Sequence, residues 1–416
     1  CGTSGSTGTS RGDVATALPS DRRAVPSATL FIARVVYAFN WYNIGAVLPL
    51  IAAGLSASPA QLAVVLGAFL VGVGIFQVPA GLAAVRWGSR RVSLAGVALF
   101  GAASVATAFA PTWPVLALVR FLGGVGAAFF FSPALSLIAS YFPPGERGPV
   151  IGFYNGGFSV GGAVGLIGGA ALGLSLGWPA ALGIGGVALL ATTALAYVAL
   201  PRQPPEGSSR DTSALYAAGR AVLRSRSIWG LSLALTGFWT AIYLVAQDFV
   251  EFAHTVHPGW GAGIAAALTA LVIVASFPGG PIGGWVAERG RDRRLLLGLF
   301  GALVSGLVLL VPFATLWTIG PLFLGLGFFD GVVFAILYLI PTYLPETQGE
   351  GLALGVGFVN SIQVLLGSGF VVLFGVLVEV VGYSGAWWYA GALSLALLPG
   401  LFLVAPNRAA ARPRAR

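Results

Sequence analysis

The chain has 416 residues, 57% of them hydrophobic and 8% charged, with a mean hydropathy of +0.90. A soluble domain carries about 25% charged residues, so this composition excludes a water-soluble globular protein and requires lipid as its solvent. The net charge of +9 rests on 22 basic residues that are all arginine, because lysine is absent.

Methionine is also absent, including at position 1, and the chain reads as processed or incomplete at its start. Cys1 is the single cysteine, so no internal disulfide is expected. Residues 1–28 lack the apolar core of a signal peptide and read as a disordered Gly/Ser/Thr tail. A spanning helix needs about 20 mostly apolar residues. Twelve such runs follow, at roughly 29–53, 60–84, 92–110, 113–140, 148–173, 178–200, 228–252, 260–287, 295–313, 317–341, 351–377 and 384–405. A central loop at 201–227 carries Pro201, Pro204 and Pro205, and its second part, Ser213–Arg226, has the pattern of a short surface helix. A basic tail, 406–416, closes the chain.

Of the 22 arginines, 20 fall in the tails and in the loops after the second, fourth, sixth and eighth runs, and the intervening loops carry none. Such one-sided placement is the positive-inside pattern, which puts both termini in the cytoplasm. Membrane orientation thus accounts for the basic charge, and no nucleic-acid partner is expected.

The chain also repeats itself. Gly81–Arg91, GLAAVRWGSRR, returns as Gly284–Arg294, GWVAERGRDRR. Phe121-Leu122-Gly123 returns as Phe323-Leu324-Gly325, Tyr141 and Pro143 as Tyr343 and Pro345, and Gly152-Phe153-Tyr154-Asn155 as Gly357-Phe358-Val359-Asn360. Several matches at nearly constant offset predict two parallel six-helix halves, 29–200 and 228–405, with a site near mid-membrane between them.

On these residues the chain resembles the major facilitator superfamily. The turn after the second span follows that family's G-x-x-x-D-R-x-G-R-R with Gly81, Arg86, Gly88, Arg90 and Arg91, but has Val85 in place of the acid. The second copy restores an acid, as Gly284, Glu288, Arg289, Arg293 and Arg294. Arg120, Gly124 and Gly126 match R-x-x-x-G-x-G in the fourth span, and Gly156-Gly157, Gly161-Gly162, Gly165 and Gly168-Gly169 match the glycine-rich fifth. The resemblance implies an all-α fold of twelve spans, a cytoplasmic gate formed by the two basic turns, and a central cavity lined by the first, fourth, seventh and tenth spans. With Val85 in the first copy, it leaves the acidic part of that gate to Glu288.

A charge at mid-bilayer costs about 2.5–3.5 kcal/mol on insertion scales, which marks it as a functional candidate. Arg34, near the inner end of its span, reads as snorkelling to the headgroups. Arg120 lies too deep for that and reads as a counter-charge for solute. Asp330, near mid-span, and Asp248, in the outer third of its span, read as proton carriers, because an aspartate in low dielectric resists ionisation. Glu251, His254, His257 and Glu379 read as solvated outer groups. Asn40, Trp41, Asn43, Trp239, Tyr243, Gln247 and Phe329 add polar and aromatic groups to the predicted cavity, the usual make-up of a small-molecule site. No nucleotide-binding loop and no Cys/His cluster appears in the sequence, so neither an enzyme nor an ATP-driven pump is expected, and no cofactor or metal.

The expectation is a multi-pass transporter of a prokaryotic inner or plasma membrane, working as a monomer by alternating access. It would carry a small anionic or polar organic solute with proton coupling. Proton-driven export of amphipathic drug-like compounds, and a non-transporting solute sensor, are the alternatives.

Overall fold

The computed structural model describes residues 18–143, 146–202, 212–289, 292–347 and 351–405. The tails 1–17 and 406–416 and loop residues 203–211, with the disorder and surface charge expected of them, lie outside the described residues. Among the described residues, all regular structure is helical. The α-helices are α1 (Ala24–Ala46), α2 (Leu48–Leu55), α3 (Pro59–Trp87), α4 (Ser89–Thr107), α5 (Trp113–Ser140), α6 (Arg147–Leu176) and α7 (Trp178–Ala199). They continue with α8 (Thr212–Arg224), α9 (Arg226–Val256), α10 (Ala262–Glu288), α11 (Arg293–Leu310), α12 (Leu316–Leu339) and α13 (Gly351–Leu397).

Among the described residues nine helices are long and apolar enough to cross a membrane, or ten if α1 and α2, bent by 56° at Val47, count as one. Pro49, in the first turn of α2, cannot donate back to α1, which accounts for the break. Three more of the twelve expected runs differ from expectation for local reasons. The 19-residue α4 begins with Arg90 and Arg91 and is not among the nine. The last two runs form one 47-residue element, broken at Gly382.

Sequence-local signals set the ends. Ser58 and Gln61 cap the start of α3 reciprocally, with Pro59 at its first position. The Ser225 hydroxyl accepts from the Ile228 amide at the start of α9. Two turns are a single glycine: Gly88 (φ 86°) joins α3 to α4, and Gly177 (φ 83°) joins α6 to α7. Gly382 (φ 75°, ψ 172°) makes the same reversal inside α13. Only glycine adopts this backbone conformation without strain, so each reversal needs no longer loop.

Backbones approach closely where glycines face one another. A Cβ on Gly124 would strike the Phe69 carbonyl, and one on Gly327 the Val272 carbonyl. Each partner in the second pair lies 203 residues on (124 to 327, 69 to 272), so the repeat is present in the packing as well as in the sequence. The outer surface is apolar: Trp317 is 87% exposed and Phe109 79%, a belt that hydrocarbon covers.

Gly382→Ala would place its Cβ in open space, so its cost is backbone strain of about 1–3 kcal/mol. The expected outcome is a lowered unfolding midpoint in detergent. Gly280→Ala, in a helix and equally open, should not lower it.

Candidate functional site

The glycines of α5 place Arg120. With Gly124 against α3 and Gly126 against the backbone of Phe100 on α4, α5 is wedged between two neighbours. Arg120, one turn earlier, then sits with its guanidinium 4.2 Å over the Phe69 ring and is 3% exposed. Its Nε and Nη2 have no hydrogen-bond acceptor among the described residues. Trp41 meets the same Phe69 ring edge-on at 4.7 Å. From α9, Tyr243 comes within electrostatic reach of Arg120, its hydroxyl unpartnered, and stacks on Trp239 at 5.1 Å. Arg120, Trp41, Tyr243 and Trp239 are therefore brought together from both halves of the sequence.

Other predicted residues are placed elsewhere. The Asn40 amide donates to the carbonyls of Val36 and Gly185, both at 2.9 Å, and Asn43 packs on Gly169 and Gly185. Both asparagines thus serve the contact of α1 with α6 and α7. Gln247 donates to the Trp41 carbonyl at 3.0 Å and joins α9 to α1. Phe329 stacks on Phe300 of α11 at 5.9 Å. The aspartates do not share a site. Asp330, 8% exposed with Oδ1 unpartnered, is within electrostatic reach of Tyr42. Asp248, 7% exposed with Oδ2 unpartnered, neighbours Glu251, Tyr243 and Tyr383. Glu251 is buried rather than solvated as expected, because α9 is packed almost all round.

Arg34 does not snorkel. It is 5% exposed, with its guanidinium 4.5 Å from the Phe158 ring, 4.7 Å from Phe131, 5.0 Å from Tyr37 and 5.4 Å from Tyr154. Depth in the span suggested the headgroups. The phase of the helix turns Arg34 inward, on the same face as Tyr37 and Trp41.

The basic turns are tied within their own halves. Arg90 donates to the carbonyls of Leu200 and Tyr197 at the end of α7. Arg294 donates to the Val404 carbonyl at 2.9 Å, across the same separation of 110 residues as Arg90 to Leu200. Arg294 also holds Asp292, whose carboxyl lies below its ordinary range through that hydrogen bond. Arg293 donates to Ala287. Arg86, Arg91 and Arg289 are exposed, with Arg86 over Trp87 and Arg289 over Trp285. Gly81 has open space beside it, Gly284 likewise, and Glu288 is the last residue of α10.

At the opposite end the halves meet. The Gly45 backbone packs on that of Gln247, Gly375 packs on Pro59 and Ala60, and Glu379 accepts from the Ala60 amide at 3.0 Å. The contact between α3 and α13 continues inward to Gln77, which accepts from Asn360 at 2.8 Å, while Asn360 accepts from Gln363. A small cavity of about 10 Å³, room for about one water, lies beside this chain of amides, lined by Leu337, Pro341, Val356, Val359, Asn360 and Gln363, and Arg120 is not part of it.

The model of the Major Facilitator Superfamily matches residues 30–368. The chain is 26% identical to the "Probable sulfoacetate transporter SauU" of Cupriavidus necator, over 89% of this chain and 93% of that protein. It is 28% identical to the "Hexuronate transporter" of Bacillus subtilis over 32% of each, so this second match spans about a third of that relative's length. A crystal structure of a D-xylose-proton symporter superposes with a TM-score of 0.69 at 16% identity, covering 92% of this chain and 97% of that one.

Two tests follow from the ties at the two ends. Arg90→Ala and Arg294→Ala should each cost about 1 kcal/mol or more, since charged donors to carbonyls are lost, whereas Arg86→Ala should leave the unfolding midpoint unchanged. The Asp292 contribution is present above the ordinary carboxylate range and is lost as pH falls through its lowered value. At the other end, Glu379→Ala should raise the labelling rate of a cysteine introduced at Ala57 by a membrane-impermeant thiol reagent. An unchanged rate would show that Glu379 does not hold that end closed.

Proposed function

The chain belongs to the Major Facilitator Superfamily, an integral multi-pass membrane transporter and not an enzyme, and from that premise we propose that it carries a small organic anion by proton-coupled alternating access. One observation carries the proposal: a deeply buried guanidinium, Arg120, has two N–H donors with no acceptor among the described residues. A cation in low dielectric that no carboxylate neutralises is complementary to an anion arriving from outside. Two relatives, a hexuronate transporter and a probable sulfoacetate transporter, are named for organic anions.

In this reading Arg120 binds the anionic group, with Trp41, Trp239 and Tyr243 as walls. Because Arg120 and Trp41 belong to 29–200 and Trp239 and Tyr243 to 228–405, a bound solute joins the two halves as they rock. Asp330 takes the coupled proton, with Asp248 as a second carrier nearer the outer end. An anion on Arg120 and a proton on Asp330 together leave the moving interior close to neutral, which lowers the cost of exposing it to either side. With the arginine-rich face inward and both termini cytoplasmic, the end at which Gly45, Glu379 and Ala60 join the halves is the outer one. Glu288 and the exposed arginines Arg86, Arg91 and Arg289 would then meet across the halves in the outward-facing state.

Proteoliposomes test the proposal. With a panel of organic anions, sugars and amphipathic cations, an inward-directed pH gradient should drive accumulation of the anions. Accumulation of cations alone would replace this reading with drug-like export. Arg120→Gln should weaken anion binding about 10–100-fold, the loss of charge-assisted hydrogen bonds. Asp330→Asn should keep exchange of bound solute but lose pH-driven accumulation, and unchanged accumulation would exclude Asp330 as the proton carrier.

A further inference from the structure

Arg34 is a second arginine buried within the bundle, and the proposed transport cycle gives it no role. Its surroundings supply faces rather than charges. Four aromatic rings surround the guanidinium within 5.4 Å, and no carboxylate among the described residues lies within ion-pair distance of it. Rings stabilise a cation through their quadrupoles, but they leave most of its N–H groups free to donate. Here the guanidinium bonds the Tyr37 hydroxyl, while Nε and Nη1 have no acceptor. The Tyr154 hydroxyl is also without a partner, on a side chain that is fully buried and within electrostatic reach of Arg34. Three unpartnered polar atoms, two of them cationic donors and one a hydroxyl, thus converge in an apolar box. Arg34 lies seven residues before Trp41 on the same helix, about 10 Å closer to the basic end at 1.5 Å per residue.

We propose that Arg34, Tyr37 and Tyr154 form a second anion station on the basic-end side of Arg120, holding a carboxylate or sulfonate group whose apolar body lies against Phe131 and Phe158. The inference rests on the reading of the chain as a carrier of organic anions and gives it a path. A solute leaving Arg120 toward the basic end passes a second cation, and a solute with two anionic groups can engage both. The donors set the ligand class: N–H and O–H groups with no carboxylate beside them select an anion and offer a cation nothing. The ring faces favour a planar or apolar body over a fully hydrated inorganic ion.

The experiment reads this station apart from Arg120. The full chain carrying Arg120→Gln is purified into phosphatidylcholine nanodiscs, and its unfolding midpoint is followed as benzoate is added, with benzyl alcohol as the neutral isostere. Benzoate should raise the midpoint and benzyl alcohol should not. Adding Arg34→Gln should weaken the benzoate response about tenfold or more, Arg34→Lys should fall between, and Tyr154→Phe should weaken it about two- to tenfold. If the Arg34→Gln chain does not fold, Tyr154→Phe decides. Benzoate titrations unchanged by Arg34→Gln or Tyr154→Phe, or no benzoate response before they are introduced, would overturn the station. An Arg34-dependent rise produced by phosphatidylglycerol but not by benzoate would also overturn it, assigning Arg34 to a lipid headgroup. Flux in the unmodified chain is a separate outcome: anion transport without a benzoate response at Arg34 sinks only the station, and a response without transport sinks only the transport reading.

Discussion

A guanidinium within a bilayer-spanning bundle must be stabilised by something other than water, and the choice of partner decides what it can still do. Taking such an ion out of water costs several kcal/mol even after relaxation. A carboxylate partner would offset that cost but would occupy the donors. Both Arg120 and Arg34 are stabilised by ring faces instead: one by Phe69, the other by Tyr37, Phe131, Tyr154 and Phe158. A desolvated cation–π contact contributes about 2 kcal/mol, so rings offset part of the burial cost. The remainder is an unmet demand for an acceptor, and that demand is what the proposed anionic ligand would answer. Ring faces from α1, α3, α5 and α6 thus meet these two cations.

The repeated basic turn has two physical jobs that sequence alone presents as one. In each copy the last arginine or the one before it, Arg294 or Arg90, donates to carbonyls at the end of its own half, at the same separation of 110 residues. Those two arginines are mechanical ties, and they are only partly exposed. The arginines nearer the start of each copy, Arg86 and Arg289, rest on tryptophans and face solvent, free to take a partner in another state. Val85 removes the acid from the first copy. At the far end of the bundle a different device does the holding: Glu379 of α13 sits at the start of α3, where unsatisfied amides favour a carboxylate. The two ends are therefore held by different chemistry: arginines that tie each half to itself at one, and an acid on a helix terminus that joins the halves at the other.

Much of the architecture was legible because it follows from solvation and periodicity. Apolar runs of about 20 residues dictate helices, and constant offsets dictate a repeat, which the Gly124–Phe69 and Gly327–Val272 contacts then reproduce in three dimensions. The count of spans was less legible, since a helix that begins with Arg90 and Arg91 and a reversal made by one glycine at 382 blur the run boundaries.

The site was legible by residue type and only partly by position. Asn40 and Trp41 are neighbours in sequence, yet on a helix they are turned about 100° apart. Trp41 therefore joins Phe69 and Arg120, while Asn40 is bonded to Gly185 of α7. The signal for Arg34 was present, because 34, 37 and 41 stand at i, i+3 and i+7 and must share a face. Judging Arg34 by its depth alone passed over that spacing. What no spacing in α1 could disclose is that Tyr154 and Phe158 on α6, and Phe131 on α5, complete the ring of faces, since those contacts depend on how three helices pack. A charge buried in a lipid-facing bundle is thus better judged by the phase it shares with its aromatic neighbours than by its distance from the end of the span. By that criterion Arg34 and Arg120 are set at the two ends of one chain of rings, Tyr37 and Trp41 on α1 and Phe69 on α3.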